Sequence, residues 1–482
     1  MASRDPNRPN VLFILSDDQG AWAMRCAGNA DIITPSLDAI AASGIRFTDF
    51  FCTSPVCSPA RASLMTGEIP SRHGVHDWLR DGNMGAKAID YLEAFPLLTD
   101  PAARAGWRCA LIGKWHLGAS DQPREGYVEW FAHQSGMSPY YDAPMVEESK
   151  PVTVARYLTD ELTDRALAFV SRENERDEPF WLNLNYTAPH YPWIDSHPRE
   201  YTDLYADCRF GSNPQGEPPH PHSATGNPAT DQGFLRPRES LIGYYAATTA
   251  MDAGIGRVLA HLDALRLTGS TLVIFMSDNG MNCGHHGIWG KGNGTRPQNM
   301  YDTSVKVPCL FSQPGRIAPS VRHDLLSGYD LFPTLLDYLG VADPKAASRP
   351  GRSFRGTLEG EAPTAAQNDR DVVVYDEYGP VRMVRTREWK YVHRFPGGPH
   401  ELYHLAGDPR ERIDLIDDPA SAPMRDALRG RLDAWFARYV DPPVDGAHAY
   451  ITGCGQLDKV PVTGDPLQWF ADVPIKPLHQ AA

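Results

Sequence analysis

A cysteine at the start of a short helical pattern is the first group in this chain that could do chemistry. The motif runs from Cys57-Ser-Pro-Ala-Arg61 to Gly67. Pro59 suits a first helical turn and Gly67 can end a helix, so we predict a short helix directly after Cys57. The unpaired N–H groups and positive dipole of a helix start favour an oxyanion, and Arg61 adds a fixed cation. An ordinary buried cysteine would show the same local pattern, so other residues must decide.

Polar side chains follow four apolar runs of the chain. Residues 11–15, 109–112, 180–186 and 271–276 have the largely apolar character of parallel strands that are covered on both faces. Open α/β sheets bind their ligands beyond the carboxyl ends of such strands. The polar residues that stand there are Asp17, Asp18, Lys114, His116, His190, Asp278 and Asn279. The sequence therefore predicts that these side chains meet in one site.

The acidic part of this group suits a hard cation. Asp17, Asp18, Asp278 and Asn279 offer only oxygen ligands, which favours calcium, magnesium or manganese over zinc. One such pair after a strand is often a plain turn residue or a helix cap. Two pairs that end two strands favour a metal site instead.

The basic part of the group favours an anionic substrate. Local positive charge inside an acidic protein is supplied by Arg61, Lys114, His116, His190 and Lys291. A lone histidine is usually structural, but Lys114 and His116 share one predicted loop. Three further histidines are equally compatible with filling a loop and with contacting a substrate: His133, His285 and His286.

The composition limits the classes of partner. The chain of 482 residues has a formal charge of −14, which would repel nucleic acids and anionic membranes at long range. The apolar run at 11–15 is too short for a signal peptide or a membrane span. The sequence as it stands predicts a cytoplasmic protein, or a periplasmic or secreted one if a leader has been removed. Its eight cysteines show neither metal-site spacing nor the pattern of a disulfide framework.

Strands that alternate with helices predict an α/β fold with a large, mostly parallel sheet between layers of helices. We assign residues 1–365 to this catalytic domain, 366–440 to a small antiparallel α+β domain, and 441–482 to an irregular arm. The arm retains apolar residues, so we expect it to pack on the body or on a second protomer of a homo-oligomer. Residues 206–238, rich in Pro and Gly, predict a long loop over the site.

Several blocks together resemble the type I, formylglycine-dependent sulfatases of the alkaline phosphatase superfamily. The segment from Cys57 to Gly67 is similar to their signature, and Gly113-Lys-Trp-His-Leu-Gly118 is similar to their second signature. Further blocks follow the family order: Ser16-Asp-Asp-Gln, Ala188-Pro-His190, Ser277-Asp-Asn-Gly280, Gly290-Lys-Gly292, Glu401-Leu-Tyr-His-Leu and Asp408-Pro-Arg-Glu411. The resemblance spans residues 9 to 415 and implies the alkaline phosphatase-like fold.

The resemblance implies that a maturation enzyme oxidises Cys57 to formylglycine, which hydrates to a geminal diol. One hydroxyl, held on a metal, would attack sulfur in line and expel the alcohol; the other would then collapse to the aldehyde and release sulfate. The implied ligands of a divalent cation, usually calcium, are residue 57 with Asp17, Asp18, Asp278 and Asn279. Asp278 would also accept the proton of the nucleophile.

The resemblance also implies roles for the basic residues. His116 would be the base of the elimination step, and Arg61 and Lys114 would steady the diol and the sulfate. His190 and Lys291 would bind the sulfate and neutralise or protonate the leaving oxygen. The implied activity is hydrolysis of a sulfate monoester, and the polar loops favour an aryl or carbohydrate-like ester.

One departure from the family pattern follows Lys291. Residues 292–300 stand before Tyr301-Asp302, where many relatives continue quickly into a Tyr-Glu-Gly-Gly-like block. Arg296, Gln298 and Asn299 would read a sugar there or would only fill the loop. Two other functions stay open: a formylglycine-dependent phosphonate monoester or phosphodiester hydrolase, and a catalytically silent homologue that acts by binding.

Overall fold

A ten-stranded mixed sheet organises the computed structural model, which describes residues 8–223, 228–361, 374–461, 465 and 468–471. Its strands are β1 (Asn10–Ser16), β2 (Ile45–Phe51), β3 (Arg108–Gly113), β4 (Tyr127–His133), β5 (Ala143–Glu147), β6 (Lys150–Val154), β7 (Phe180–Asn185), β8 (Thr271–Ser277), β9 (Cys309–Ser312) and β10 (Ser320–Ser327). Their order is β10-β2-β9-β8-β1-β7-β3-β4-β5-β6. The neighbours β8, β1, β7 and β3 are parallel, so their carboxyl ends share one edge.

Strand β1 shows why the apolar runs become buried strands. Val11, Phe13 and Leu15 point into the core on one face of the sheet, and Leu12 and Ile14 point into the core on the other. Both faces are dry, so the sequence lacks the polar alternation of a half-exposed strand.

Helices cover both faces of this sheet. On one face lie α1 (Pro35–Ser43), α5 (Leu158–Glu173) and α8 (Pro237–Ala264), and on the other lie α2 (Cys57–Thr66) and α10 (Leu331–Tyr338). Shorter helices in the connections are α3 (Pro70–His73), α4 (Thr99–Arg104), α6 (Arg199–Thr202), α7 (Pro228–Leu235), α9 (Asp302–Val305) and α11 (Arg355–Leu358). The predicted large, mostly parallel sheet between helical layers is confirmed.

Two local predictions were wrong. Residues 206–238 are not one long loop, because α7 and the start of α8 fall inside them. Pro228 and Pro237, which favoured a loop in the sequence, are the first residues of these helices, where the missing proline N–H costs nothing. Helix α2 also begins at Cys57 itself rather than after it.

A second, four-stranded antiparallel sheet follows, with β11 (Val374–Tyr378), β12 (Val381–Arg385), β13 (Trp389–Arg394) and β14 (Glu401–His404) in that order. Helix α12 (Ala422–Tyr439) packs on β12 and β13 with Leu428, Leu432 and Phe436. The predicted small α+β unit is therefore present. The predicted boundary at 365 and the start of the predicted strand at 372 lie outside the described residues.

The described part of the arm packs against the large sheet unit. Gln456 forms a parallel bridge with Leu79, and its side-chain amide donates to the Gly74 carbonyl at 3.0 Å. Trp78 donates from Nε1 to the Gly453 carbonyl at 2.9 Å. These contacts bring residues near the end of the chain to the loop that follows α3.

Candidate active site

The predicted acidic residues emerge side by side from β1 and β8. Ser16 and Ser277 are paired in the register, so Asp17-Asp18 and Asp278-Asn279 leave the sheet together. The Asp18 N–H donates to Asp278 Oδ1 at 3.2 Å, and Asn279 Nδ2 donates to Asp18 Oδ1 at 2.8 Å. Asp18 has a φ of 63°, a left-handed conformation that costs about 1–3 kcal/mol outside glycine and is concentrated at functional sites.

Cys57 lies at the first turn of α2, beside this acidic edge. Its side chain is buried, with 3% exposure, and its Sγ lies 3.3 Å from His116 Nδ1. Burial raises the pKa of the Cys57 thiol, although the ammonium groups of Lys114 and Lys291 oppose this shift. The thiol is thus neutral at ordinary pH, which argues against a cysteine thiolate as the nucleophile.

His116 is held as a neutral base directed at residue 57. Its Nε2 lies 2.9 Å from the Leu79 carbonyl, which only accepts, so Nε2 carries the proton and the lone pair of Nδ1 faces Cys57. Burial, reinforced by Lys114, lowers the pKa of His116 well below 6.5. Gly136 packs on the ring so closely that a Cβ there would overlap Cε1 and Nε2.

The predicted basic residues pair with the acids. Lys114 Nζ contacts Asp17, and Lys291 Nζ contacts Asp18. Arg61 donates from Nε to Asp278 Oδ2 at 2.9 Å. His190 Nε2 lies 3.6 Å from Asp18 Oδ2. The structure brings all the predicted site residues together: Asp17, Asp18, Cys57, Arg61, Lys114, His116, His190, Asp278, Asn279 and Lys291.

The carboxyl groups differ in their protonation energetics. Burial alone would raise the pKa of Asp17, but Lys114, with His190 and Arg61, brings it below its ordinary value. Lys291 and His190 likewise lower the pKa of Asp18 against the effect of burial. Burial and the neighbouring Asp17 raise the pKa of Asp278 instead. Asp278 is therefore the carboxylate of this group best suited to accept a proton.

The oxygen atoms of the cluster fit a divalent cation. Asp17 Oδ1 and Asn279 Oδ1 are buried and have no hydrogen-bond partner among the described residues. Asp17, Asp18 and His190 each offer a ligand atom within 4.8 Å of the others. Orphaned oxygen atoms beside two aspartates suit calcium or magnesium, and a bound cation would satisfy them. His190 in this cluster is a residue that the sequence assigned to the sulfate rather than to the metal.

A cavity of about 310 Å³ opens above the cluster. Five of the predicted residues line it: Asp18, Cys57, His116, His190 and Lys291. Trp78, Arg80 and the arm residues Thr452, Gly453 and Cys454 also line the cavity and were not predicted. The lining further includes Met137, and it includes Pro228, Ala229 and Asn293 from the segments 206–238 and 292–300 that the sequence had indicated. The apolar residues of the arm indicated in the sequence that the arm packs on the rest of the protein, but they did not indicate that it lines this cavity.

The weaker histidine candidates lie away from this cavity. Buried His133 pairs through Nε2 with Thr187 Oγ1 at 2.9 Å, and His285 and His286 pack on the rings of Trp22 and Tyr301. None of the three lines the described cavity. The geometry therefore favours a structural role for these three histidines over contact with a substrate.

The unusual segment after Lys291 fills a loop. Asn299 donates to the Lys291 carbonyl at 2.9 Å, and Gln298 donates to the Ile451 carbonyl at 3.1 Å. Arg296 reaches Tyr450 OH at 3.5 Å. Within the described cavity this segment contributes Asn293 rather than these three side chains. Asn299 instead fixes the backbone that carries Lys291.

Comparison with known proteins agrees with this geometry. The family model described as Sulfatase matches residues 9–341, and the model described as N-sulphoglucosamine sulphohydrolase, C-terminal, matches residues 284–437. A choline-sulfatase of Rhizobium meliloti is 30% identical over 449 residues, with 86% of this chain and 83% of the relative covered. An ulvan-active sulfatase of Formosa agariphila is 28% identical over 462 residues, with coverages of 91% and 83%.

Solved structures share the fold. One in complex with D-glucosamine-2-N,6-O-disulfate, described as its substrate, has a TM-score of 0.77 at 23% identity and covers 91% of this chain and 99% of that chain. The phosphonate monoester hydrolase of Agrobacterium radiobacter has a TM-score of 0.66 at 23% identity, with coverages of 90% and 96%. The architecture is thus the alkaline phosphatase-like fold. The chain belongs to the sulfatase family, and it is an enzyme of that family.

Within the described residues, no helix combines the length and apolarity that crossing a membrane requires.

Proposed function

We propose that this sulfatase hydrolyses a sulfate monoester to an alcohol and sulfate, with formylglycine formed from Cys57 as its nucleophile. The observation that carries the proposal is the position of the residue 57 side chain. It lines the cavity, with Sγ 3.3 Å from the Nδ1 of a neutral His116, beside buried cations and carboxylates. A maturation enzyme would supply the oxidation of Cys57, which the burial-raised pKa of its thiol otherwise leaves unreactive.

The first step transfers the sulfuryl group. Lys291 and His190, which line the cavity, bind the anionic sulfate oxygens and neutralise the departing alkoxide. One hydroxyl of the hydrated aldehyde gives its proton to Asp278 as its oxygen bonds to sulfur. The bond from sulfur to the alcohol oxygen breaks, the oxygen keeps the electron pair of that bond, and the alcohol leaves with a proton donated by His190 or Lys291.

The second step releases sulfate. His116 Nδ1 takes the proton of the remaining hydroxyl, whose electrons form the aldehyde C=O bond. The bond from carbon to the sulfate oxygen breaks, and sulfate leaves with the electron pair of that bond. Water then adds to the aldehyde and restores the diol. A sulfated serine has no second hydroxyl for this step, which explains why an aldehyde is needed.

The ion pairs between the basic and acidic residues do not satisfy the whole site, because two buried oxygen atoms lack hydrogen-bond partners among the described residues. We propose that Asp17, Asp18, Asp278 and Asn279, with residue 57, hold a divalent cation, with calcium preferred and magnesium or manganese as alternatives. When bound, the cation would lower the pKa of the attacking hydroxyl and offset the sulfate charge. Arg61 and Lys114 hold the aspartates in place from behind the cavity.

The experiment combines mass spectrometry with turnover. After co-expression with a formylglycine-generating enzyme, the peptide that contains residue 57 should show the mass of the aldehyde in place of the thiol. The protein should release sulfate from 4-nitrophenyl sulfate, and Cys57→Ala should abolish this. An unmodified thiol together with full activity of Cys57→Ala would refute the mechanism.

The same assay separates the related hydrolase activity. Phenyl phosphonate monoesters and phosphodiesters present a tetrahedral anion to the same residues, and phosphonate hydrolases share the fold. We expect kcat/KM to be higher for the sulfate ester. If the phosphonate were the substrate turned over predominantly, the protein would be a phosphonate hydrolase and the proposed sulfate ester would be wrong. A folded, modified protein that turns over none of the three esters would favour the binding function.

A further inference from the structure

The cavity extends well beyond the groups that handle sulfate. Its volume of about 310 Å³ is at the lower end of the range of about 300–1,000 Å³ for small-molecule sites. Cys57, His116, His190 and Lys291, to which the proposed mechanism assigns the sulfate, are only part of its lining. The remaining wall must contact the alcohol part of the ester, so its chemistry bears on which alcohol fits.

Arg80 is the charged group on that remaining wall. It is exposed and lines the cavity, and among the described residues its guanidinium has no hydrogen-bond or ion-pair partner. Asp18 is the single carboxylate among the described lining residues, and it is already paired with Lys291. The wall therefore presents an unneutralised cation to the leaving group and no free anion.

The base of the Arg80 side chain is fixed although its end is free. The Arg80 N–H donates to the Gln456 carbonyl at 2.9 Å, and the Gln456 N–H donates to the Trp78 carbonyl at 2.8 Å. Gly455, with a φ of +112°, lies so close that a Cβ there would be 2.8 Å from Arg80 Cβ. The arm thus sets the direction in which Arg80 leaves the backbone.

Trp78 offers a flat apolar face in the same cavity. It is half-buried, and the hydrogen bond from its Nε1 to the Gly453 carbonyl at 2.9 Å fixes the ring. A rigid indole presents a large contact area to a ring at little entropic cost. Asn293 adds an amide to the same wall.

We propose that Arg80 forms a second anion subsite: the alcohol released by this enzyme is a ring that packs on Trp78 and bears a second anionic group bound by Arg80. This inference rests on the proposed sulfatase function. The guanidinium fork binds carboxylate and sulfate oxygens alike, so the second group is a carboxylate or a further sulfate. A cationic alcohol would meet Arg80 unfavourably.

The test compares neutral and anionic leaving groups. Sulfate release is measured from glucose 6-sulfate, from glucosamine 2-N,6-O-disulfate and from a sulfated glucuronate, with 4-nitrophenyl sulfate as a small reference. We expect kcat/KM for at least one anionic sugar to exceed that for the neutral sugar by about tenfold, the effect of one charge-assisted contact at an exposed position. The anionic sugar that benefits identifies the second group.

Arg80→Met should remove this preference, so that its kcat/KM falls more for the anionic sugar than for the neutral sugar, whereas Arg80→Lys should keep part of the preference. Added salt should weaken the preference in wild type and not in Arg80→Met. The matched control is Arg104→Met, which alters an exposed arginine on α4 that does not line the cavity. A wild type without the preference, or one whose preference survives Arg80→Met, overturns the proposal.

Calorimetry separates this outcome from failure of the proposed function. The Cys57→Ala protein cannot turn over, so its dissociation constants for the same sugars report binding alone. Loss of the anionic preference in Cys57→Ala/Arg80→Met, in a protein that hydrolyses no sulfate ester, would keep the subsite and refute the function. Turnover of 4-nitrophenyl sulfate with equal binding of all sugars would do the reverse.

Discussion

Gly136→Ala tests whether the position of His116 limits turnover. The added Cβ would overlap ring atoms Cε1 and Nε2 of His116, whereas carbon atoms in contact normally keep about 3.5 Å. The ring must therefore move by more than about 1 Å, because contacting atoms cannot approach so closely. That movement breaks the 2.9 Å hydrogen bond to the Leu79 carbonyl and withdraws Nδ1 from residue 57. Misplacement of a catalytic group by about 1 Å costs about 100-fold, so we expect kcat to fall by about that factor.

Rapid-mixing kinetics with 4-nitrophenyl sulfate provide the assay. His116 acts only when sulfate is released, so the first step should remain fast in Gly136→Ala. We expect a burst of 4-nitrophenol close to one equivalent per site, followed by slow turnover, and a sulfated protein visible by mass spectrometry.

The control is Gly430→Ala on α12, where no atom lies within 4 Å of an added Cβ. It should fold and turn over like wild type. A folded Gly136→Ala protein with wild-type kcat, or with a slowed reaction and no burst, would contradict the assignment of His116 to sulfate release.

Three further predictions concern the base, the buried carboxyl group of Asp77 and the cation. His116→Ala should still show the burst, but its kcat should fall by about 100- to 10,000-fold. Loss of the burst would refute the role of His116 in sulfate release. Burial raises the pKa of Asp77 to about 6, from 3.8 in the unfolded chain, although it accepts hydrogen bonds from Tyr378 and the Trp78 N–H. The folded protein then holds the extra proton, so this contribution to stability is full below pH 3.8 and is lost as pH rises through 6. Between pH 4 and pH 7, denaturant unfolding should show a loss of about 2 kcal/mol relative to Asp77→Asn, and parallel pH profiles would contradict it. Chelation should abolish turnover and lower Tm, with recovery on adding calcium, and Asn279→Ala should need more calcium for the same recovery. Full activity of metal-free protein would exclude the cation.

The sequence predicted the cluster around Cys57 because its signal is local. Each of Asp17, Lys114 and Asp278 follows directly on an apolar strand, and parallel strands place such residues at one edge. Cys57 came from a contiguous motif. Here the sequence pattern is sufficient to predict the geometry, because each site residue lies within a few positions of the strand or helix that holds it.

The part of the cavity lining formed by Trp78 and Arg80 could not be predicted in this way. Arg80 and Trp78 lie in a loop without periodicity, and their position depends on a bridge between Leu79 and Gln456, far apart in the chain. No local pattern records such a pairing. The loop prediction for 206–238 failed for a different reason, since Pro228 and Pro237 favour a turn and a helix start equally.

If Cys57 is oxidised as proposed, the contribution of the arm to the cavity also sets a time limit on that oxidation. Cys57 is 3% exposed in the folded protein, and Thr452 to Cys454 complete the wall above it. The ribosome adds these residues almost 400 positions after Cys57. At about 5–20 residues per second this interval lasts roughly 20–80 s. An oxidising enzyme that must bind the Cys57 segment in extended form would have to act during that interval, so chains completed faster than they are oxidised would accumulate as folded protein with an unmodified thiol in the cavity.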